Sequence, residues 1–124
     1  MSNEYKDWAK ENGKTICGKI ARKEALSADE VRYLDFEDYS KDDIREIERS
    51  VIDKHKWTEK IGGIDKYRWT ETIEIVFKVN ATSKVYSVLF EQGLTERQEN
   101  EYEEQYAIEM EPYVETVIRW KARG

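Results

Sequence analysis

The run Arg68-Trp69-Thr70-Glu71-Thr72-Ile73-Glu74-Ile75-Val76-Phe77-Lys78-Val79 decides the fold class. Trp69, Ile73, Ile75, Phe77 and Val79 share one parity, while Thr70, Thr72, Glu74 and Lys78 take the other. Successive side chains of a strand leave on opposite faces, so this period of two marks a strand with one buried face. Asn80-Ala81-Thr82-Ser83 then makes a short polar connection, and Lys84–Phe90 is a second β-rich run. The pair predicts a β-hairpin.

Working upstream, Val51–Ile61 reads as another strand, joined to Tyr67 through Gly62-Gly63-Ile64-Asp65, or as the continuation of a helix. Ile44, Ile47 and Val51 have helical spacing behind Ser40-Lys41-Asp42-Asp43, which predicts a helix ending near Ser50. Ser27-Ala28-Asp29-Glu30 has the form of a capping box, so a short helix through Val31 and Leu34 should follow it. Tyr5, Trp8, Ile16 and Ile20 fit one helical face, interrupted by Gly13 and Gly18, so one long helix and two short ones are both open. Downstream, Val114, Thr116, Ile118 and Trp120 alternate with Glu115, Val117, Arg119 and Lys121, which predicts a last strand. The expected fold is α+β: short N-terminal helices followed by an antiparallel sheet of three or four strands.

A chain of 124 residues matches one domain. Residues 1–50 read as its mainly helical part and 51–124 as its β-rich part, which includes an acidic segment at 91–115. Charged residues make up 39% of the chain, but the apolar residues are periodic rather than sparse, so the chain folds instead of remaining disordered. A single cysteine, Cys17, rules out an intrachain disulfide and fits a reducing compartment. With no signal-like N-terminus and no long apolar run, the expected location is the cytoplasm, without membrane association.

The formal charge of −6 is unevenly distributed. Residues 27–50 carry nine acidic groups against four basic ones, and residues 91–115 carry nine against Arg97 alone. Phosphates would meet two acidic blocks, so direct nucleic-acid binding is disfavoured and a basic partner favoured.

Catalytic and metal motifs are not legible. One histidine, His55, and one cysteine are too few for a zinc site. Cys17 sits among Ile16, Gly18 and Ile20, the surroundings of a small buried hydrophobe rather than an activated thiolate. The acidic runs lack the central glycine of a calcium loop, and Gly62-Gly63 reads as a turn, not a phosphate loop. We therefore expect no cofactor and no enzymatic activity.

The remaining feature is the tyrosine-interleaved acidic stretch. It could form a helix opened by Thr95-Glu96-Arg97-Gln98 or an ordered loop held down by Tyr102, Tyr106 and Tyr113. Tyrosine gives large contact area with a polar tip, and carboxylates pair with Arg and Lys where phosphates would otherwise sit. The candidate partner-binding set is Glu91, Glu96, Glu99, Glu101, Tyr102, Glu103, Glu104, Tyr106 and Glu109. The same glutamates also read as a solvated face that keeps the chain soluble.

Arg68-Trp69-Thr70, Ile75-Val76-Phe77-Lys78-Val79, Val85-Tyr86-Ser87-Val88 and Gly93-Leu94-Thr95-Glu96 with Gln98-Glu99 resemble small phage- and prophage-borne proteins. In these a hairpin runs into an acidic turn of the form GLTE-x-QE. The resemblance spans about residues 66–120 and defines no activity; residues 1–50 have no counterpart in it. It implies a mobile-element origin and a bacterial cytosol. By analogy it implies a stoichiometric anti-defence inhibitor, of the anti-CRISPR or anti-restriction kind, that blocks a basic nucleic-acid-handling host protein as a DNA mimic. Two other readings remain open. One is a small-molecule or nucleotide-binding sponge with a pocket lined by Trp57, Trp69, Trp120 and His55. The other is a phage accessory protein that assembles with itself through an exposed edge strand.

Overall fold

The period-two run forms the second strand of a four-stranded antiparallel sheet. In the computed structural model, which describes residues 3–36, 38–94 and 99–123 (backbone alone at 3–8, 57, 59, 61, 66 and 68), helices α1 (Asn3–Ala21) and α2 (Ala28–Phe36) precede β1 (Ile44–Ile61), β2 (Ile64–Val79), β3 (Lys84–Gly93) and β4 (Ile108–Met110). The strands lie in chain order, each antiparallel to the next. The fold is α+β.

One sheet face meets the helices. Ile73, Ile75, Phe77 and Val79 of β2 and Val88 and Phe90 of β3 pack with Ile16 of α1, Val31 and Leu34 of α2, and with Leu26, Tyr39 and Ile44. Phe77, Ile16, Leu26, Leu34 and Ile44 are fully buried. Residues of the other parity, Thr72, Glu74 and Val76 of β2 with Ser87, Leu89 and Glu91 of β3, project to the open face.

The helix termini follow local rules. Ser27 N–H donates to Glu30 Oε1 at 2.8 Å and Glu30 N–H donates to Ser27 Oγ at 3.2 Å, which completes the expected capping box. Lys19 Nζ donates to the same Glu30 oxygen at 2.6 Å. Burial alone would raise the Glu30 pKa, but the bonds from Lys19 and Ser27 outweigh it and the pKa is lowered. At the C-terminal end of α1, Glu24 N–H reaches Lys19 O and Lys23 N–H reaches Ile20 O. These two bonds form a Schellman closure that holds Lys23 at φ 57°, in the left-handed region usually filled by glycine.

Three sequence expectations are settled or corrected here. α1 is one helix, not two, because Gly13 lies at a close crossing rather than a break. A Cβ there would sit 3.2 Å from Ser40 N and from Asp43 Oδ2. The helix expected through Ile44, Ile47 and Val51 is instead strand β1, so the sheet begins at Ile44 rather than at residue 51. Register shifts fall between Glu46 and Glu48 and between Val51 and Asp53. The first adds one residue between Ile44, opposite Val79, and Val51, opposite Ile73, and so gives a same-face spacing of seven that imitates two helical turns. Ser40 Oγ accepts Asp42 N–H at 3.2 Å, a local turn and not a helix cap. The expected strand at 114–121 is absent. Residues 111–123 have no regular structure and lie exposed, because the last β3 pair is Val85 with Met110 and β3 starts at Lys84. No template strand lies beside the residues that follow.

β1 and β2 are longer than the rest of the sheet. β3 pairs only with Thr70–Val79, so β2 residues 64–69 and their β1 partners extend beyond it as a two-stranded arm. The arm closes at Gly62 and Gly63 (φ 62° and 80°), the two left-handed residues of a tight primed turn.

Two stability changes follow. Ser27→Ala should lower unfolding free energy by about 1 kcal/mol through loss of the α2 cap. Lys23→Gly should raise it by about 1 kcal/mol by relieving the left-handed strain. Both are read by urea denaturation of the purified variants.

Candidate functional site

Residues 99–110 of the acidic stretch form no helix and are held against the sheet. They return along the open side of β3, pinned at several points. Glu91 and Glu101 exchange both backbone hydrogen bonds (3.1 and 2.9 Å), and Gln105 and Leu26 exchange another pair (3.0 and 2.7 Å). The Gln105 amide also spans the Leu89 backbone, with Oε1 accepting Leu89 N–H and Nε2 donating to Leu89 O, both at 2.7 Å. A side chain thus fills one rung of the ladder that would otherwise be open at this edge.

Tyr102 supplies the apolar anchor. Its ring stacks on Phe90 at 5.3 Å between centroids. Its hydroxyl donates to Asp35 Oδ2 at 2.5 Å, and Asn100 Nδ2 donates to the same oxygen at 3.4 Å. Arg49 Nη1 donates to Asp35 Oδ1 at 2.6 Å. Burial, together with the bond to Asp35, pushes the Tyr102 pKa up to about 12. Tyr102 is therefore a structural anchor for the segment more than an exposed contact. Tyr106 is 66% exposed and Tyr113 82%, so of the three tyrosines Tyr102 alone is half-buried in the packing.

The carboxylates divide into groups. Glu91, Glu101 and Glu103 line an open cleft of about 560 Å³ on the sheet face away from the helices, together with His55, Thr72, Leu89 and Gln105. Thr72 Oγ1 donates to Glu91 Oε1 at 2.5 Å, and His55 Nε2 lies 3.1 Å from the same hydroxyl. Since that hydroxyl proton goes to Glu91, the His55 nitrogen facing it carries hydrogen. Glu91 Oε2 is buried and accepts no hydrogen bond from the described residues. Glu99 lies elsewhere, in a groove with Asp29, Arg32, Phe36 and Tyr102. Glu109 and Tyr106 face a third hollow beside Lys23, Glu24 and Lys84, with Lys84 Nζ 3.9 Å from Glu109 Oε1. Glu104 is exposed. Glu96, with the cap expected at Thr95–Gln98, lies outside the described residues.

The predicted set therefore surrounds one edge of the sheet rather than forming a single patch. The sequence reading did not join His55 and Thr72 to it. Their strand parity held part of that signal, but by sequence Val51–Ile61 is open between strand and helix, and only the β1–β2 register sets His55 beside Thr72. The tryptophan pocket does not form as expected. Trp69 is 42% exposed and Trp120 91% exposed, neither lines the His55 cleft, and the Trp57 side chain lies outside those described.

Cys17 behaves as the sequence suggested. Burial, and secondarily Asp43, pushes its thiol up to about 11, so it stays protonated near neutrality and is a poor nucleophile. Among the described residues no group of three or more His, Cys, Asp or Glu is placed to hold a metal ion. No helix among them is long and apolar enough to cross a membrane. Comparison with family models, with curated proteins and with solved structures yields no match.

The raised Tyr102 pKa makes a pH prediction. The folded state holds this proton more tightly than the unfolded chain. The resulting stabilisation is complete below about pH 10, the ordinary tyrosine value, and is lost as pH rises through about 12. In an ultraviolet titration Tyr102 should contribute a late-ionising phase, and Tyr102→Phe should remove that contribution.

Proposed function

We propose that the protein is a non-enzymatic binding module whose acidic cleft takes a cationic side chain from a basic, nucleic-acid-handling partner. The observation that carries this reading is Glu91 Oε2, a buried carboxylate oxygen with no hydrogen-bond donor among the described residues, in a cleft that also holds Glu101 and Glu103. A buried acceptor left unsatisfied is costly, and an arriving ammonium or guanidinium would satisfy it and meet the exposed Glu103 beside it. An opening of this size suits one long side chain entering from a partner surface.

Charge density narrows the mimicry idea. Residues 101–110 run beside β3 from Glu91 to Val85, a length of about 20 Å at the rise of a strand. That length carries four carboxylates, at 101, 103, 104 and 109, against about six phosphates on one strand of DNA. The edge is dense enough to meet a cluster of Arg and Lys residues but too sparse and too divided in direction to imitate a whole duplex. The resemblance to phage-borne proteins supports a host-directed role, that of an inhibitor occupying the basic surface on which a defence protein binds nucleic acid.

The test is competition. A nucleic-acid-binding protein recovered from bacterial lysate on the immobilised chain is given a labelled DNA duplex, and displacement is followed by anisotropy. The native chain should displace the duplex, and its affinity should fall steeply with salt. Glu91→Gln should weaken displacement tenfold or more, the weight of one charge-assisted hydrogen bond of about 1.5–3 kcal/mol. Glu101→Lys/Glu103→Lys/Glu104→Lys should abolish it while leaving the far-ultraviolet circular dichroism unchanged. Undiminished displacement by the folded triple variant would place the contact surface elsewhere.

A further inference from the structure

The segment after β4 has the pattern of a strand and no strand to pair with. Val114, Thr116, Ile118 and Trp120 alternate with Glu115, Val117, Arg119 and Lys121. Yet Val114 is 96% exposed, Ile118 76% and Trp120 91%. Isolated apolar side chains on a surface are ordinary, but an exposed apolar segment with regular alternation is an unpaired strand in search of an edge. β3 cannot supply that edge, because its first residue, Lys84, lies one position beyond the Val85–Met110 pair.

The sheet has one long open edge. β1 pairs with β2 alone, and along its first half it exposes Ile47, Val51 and Ile52, each about half accessible. The tail cannot reach this edge in its own chain. From Met110 to Val114 four Cα intervals span at most about 14 Å. A strand added outside β1 lies four strand spacings from β4, about 19 Å away. A second copy removes the distance limit. β1 presents exposed Glu48 and Asp53 to the tail's Arg119 and Lys121, alongside its own exposed Arg45, Arg49 and Lys54, so the match rests on strand pattern and reach rather than on net charge.

We propose that residues 113–121 of one copy add as a fifth strand to the β1 edge of a second copy, each giving its tail to the other in a two-fold dimer. Reciprocal exchange closes the assembly at two copies, because both open edges and both tails are then used. The acidic cleft plays no part in this pairing, so the dimer stands or falls independently of the proposed partner.

Sedimentation equilibrium of the full chain should show a dimer at micromolar concentration. Thr116→Pro/Val117→Pro should sediment as a monomer that still unfolds cooperatively, with a melting midpoint no longer dependent on protein concentration, since successive strand N–H groups point to opposite sides and the pair removes both. Ile47→Lys/Val51→Lys, on the receiving edge, should also be monomeric. Carbodiimide coupling of a mixed ¹⁴N/¹⁵N sample of the native protein tests the same contact without relying on any variant's folding. Links from Lys121 to Glu48 or Asp53 should join peptides of different isotope. A native monomer at 100 µM, a dimer that survives either double substitution, or links confined to one isotope would each overturn the proposal.

Discussion

Asp35 is the point on which the arrangement of the chain depends. It sits on the last turn of α2, and its carboxylate accepts from Arg49 of β1 on one oxygen and from Tyr102 and Asn100 on the other. One side chain therefore joins the helical layer, the edge strand and the returning acidic segment. Its own exposure is only 7%, so the bonds act where water competes weakly. Arg49 also binds Glu46 at 2.7 Å and the Asp35 carbonyl at 3.2 Å, which fixes β1 beneath α2. Without that carboxylate Tyr102 would keep only Asn100 as a polar partner, and an otherwise repulsive glutamate segment would keep its backbone rungs, the Gln105 amide pair and the Phe90 stack.

The acidic segment is thus held by means that do not use its charges. The Gln105 amide imitates a peptide group against Leu89, Leu26 pairs through its backbone, and the Tyr102 ring covers Phe90. The glutamates between these anchors are exposed or line clefts. This separation between what holds the segment and what the segment offers is the physical basis of the binding-module reading.

The sheet itself is asymmetric. One edge is covered by the return of residues 99–110, whereas β1 remains open for its whole length and is bent by two bulges. Bulges and charged side chains often protect a free edge from indiscriminate pairing. Here exposed Ile47, Val51 and Ile52 interrupt that protection over one stretch, which restricts the pairing to a segment of matching pattern.

How much could be read from the residues follows from the range of each signal. The period of two in Arg68–Val79, the polar turn after it and the Ser27–Glu30 box are local, and each was legible because its partners lie within a few residues or across one turn. The inert thiol of Cys17 was legible from its apolar neighbours. The first part of β1, Ile44–Ser50, was not, because a bulge is visible only once the opposing strand is known; one inserted residue made Ile44 and Val51 look helical, and Val51–Ile61 stayed open between strand and helix. The strand at 114–121 was read correctly as a pattern but has no structure within the chain, since pairing needs an edge that β3 does not extend far enough to provide. The division of the glutamates between the two faces, and the meeting of Glu91 with His55 and Thr72, depended on register and on the return path of the chain. Sequence alone determined which segments can alternate, turn and cap, because those choices rest on neighbouring atoms; tertiary structure alone decided which carboxylates share a cleft, because that rests on strands brought together across long separations in the chain.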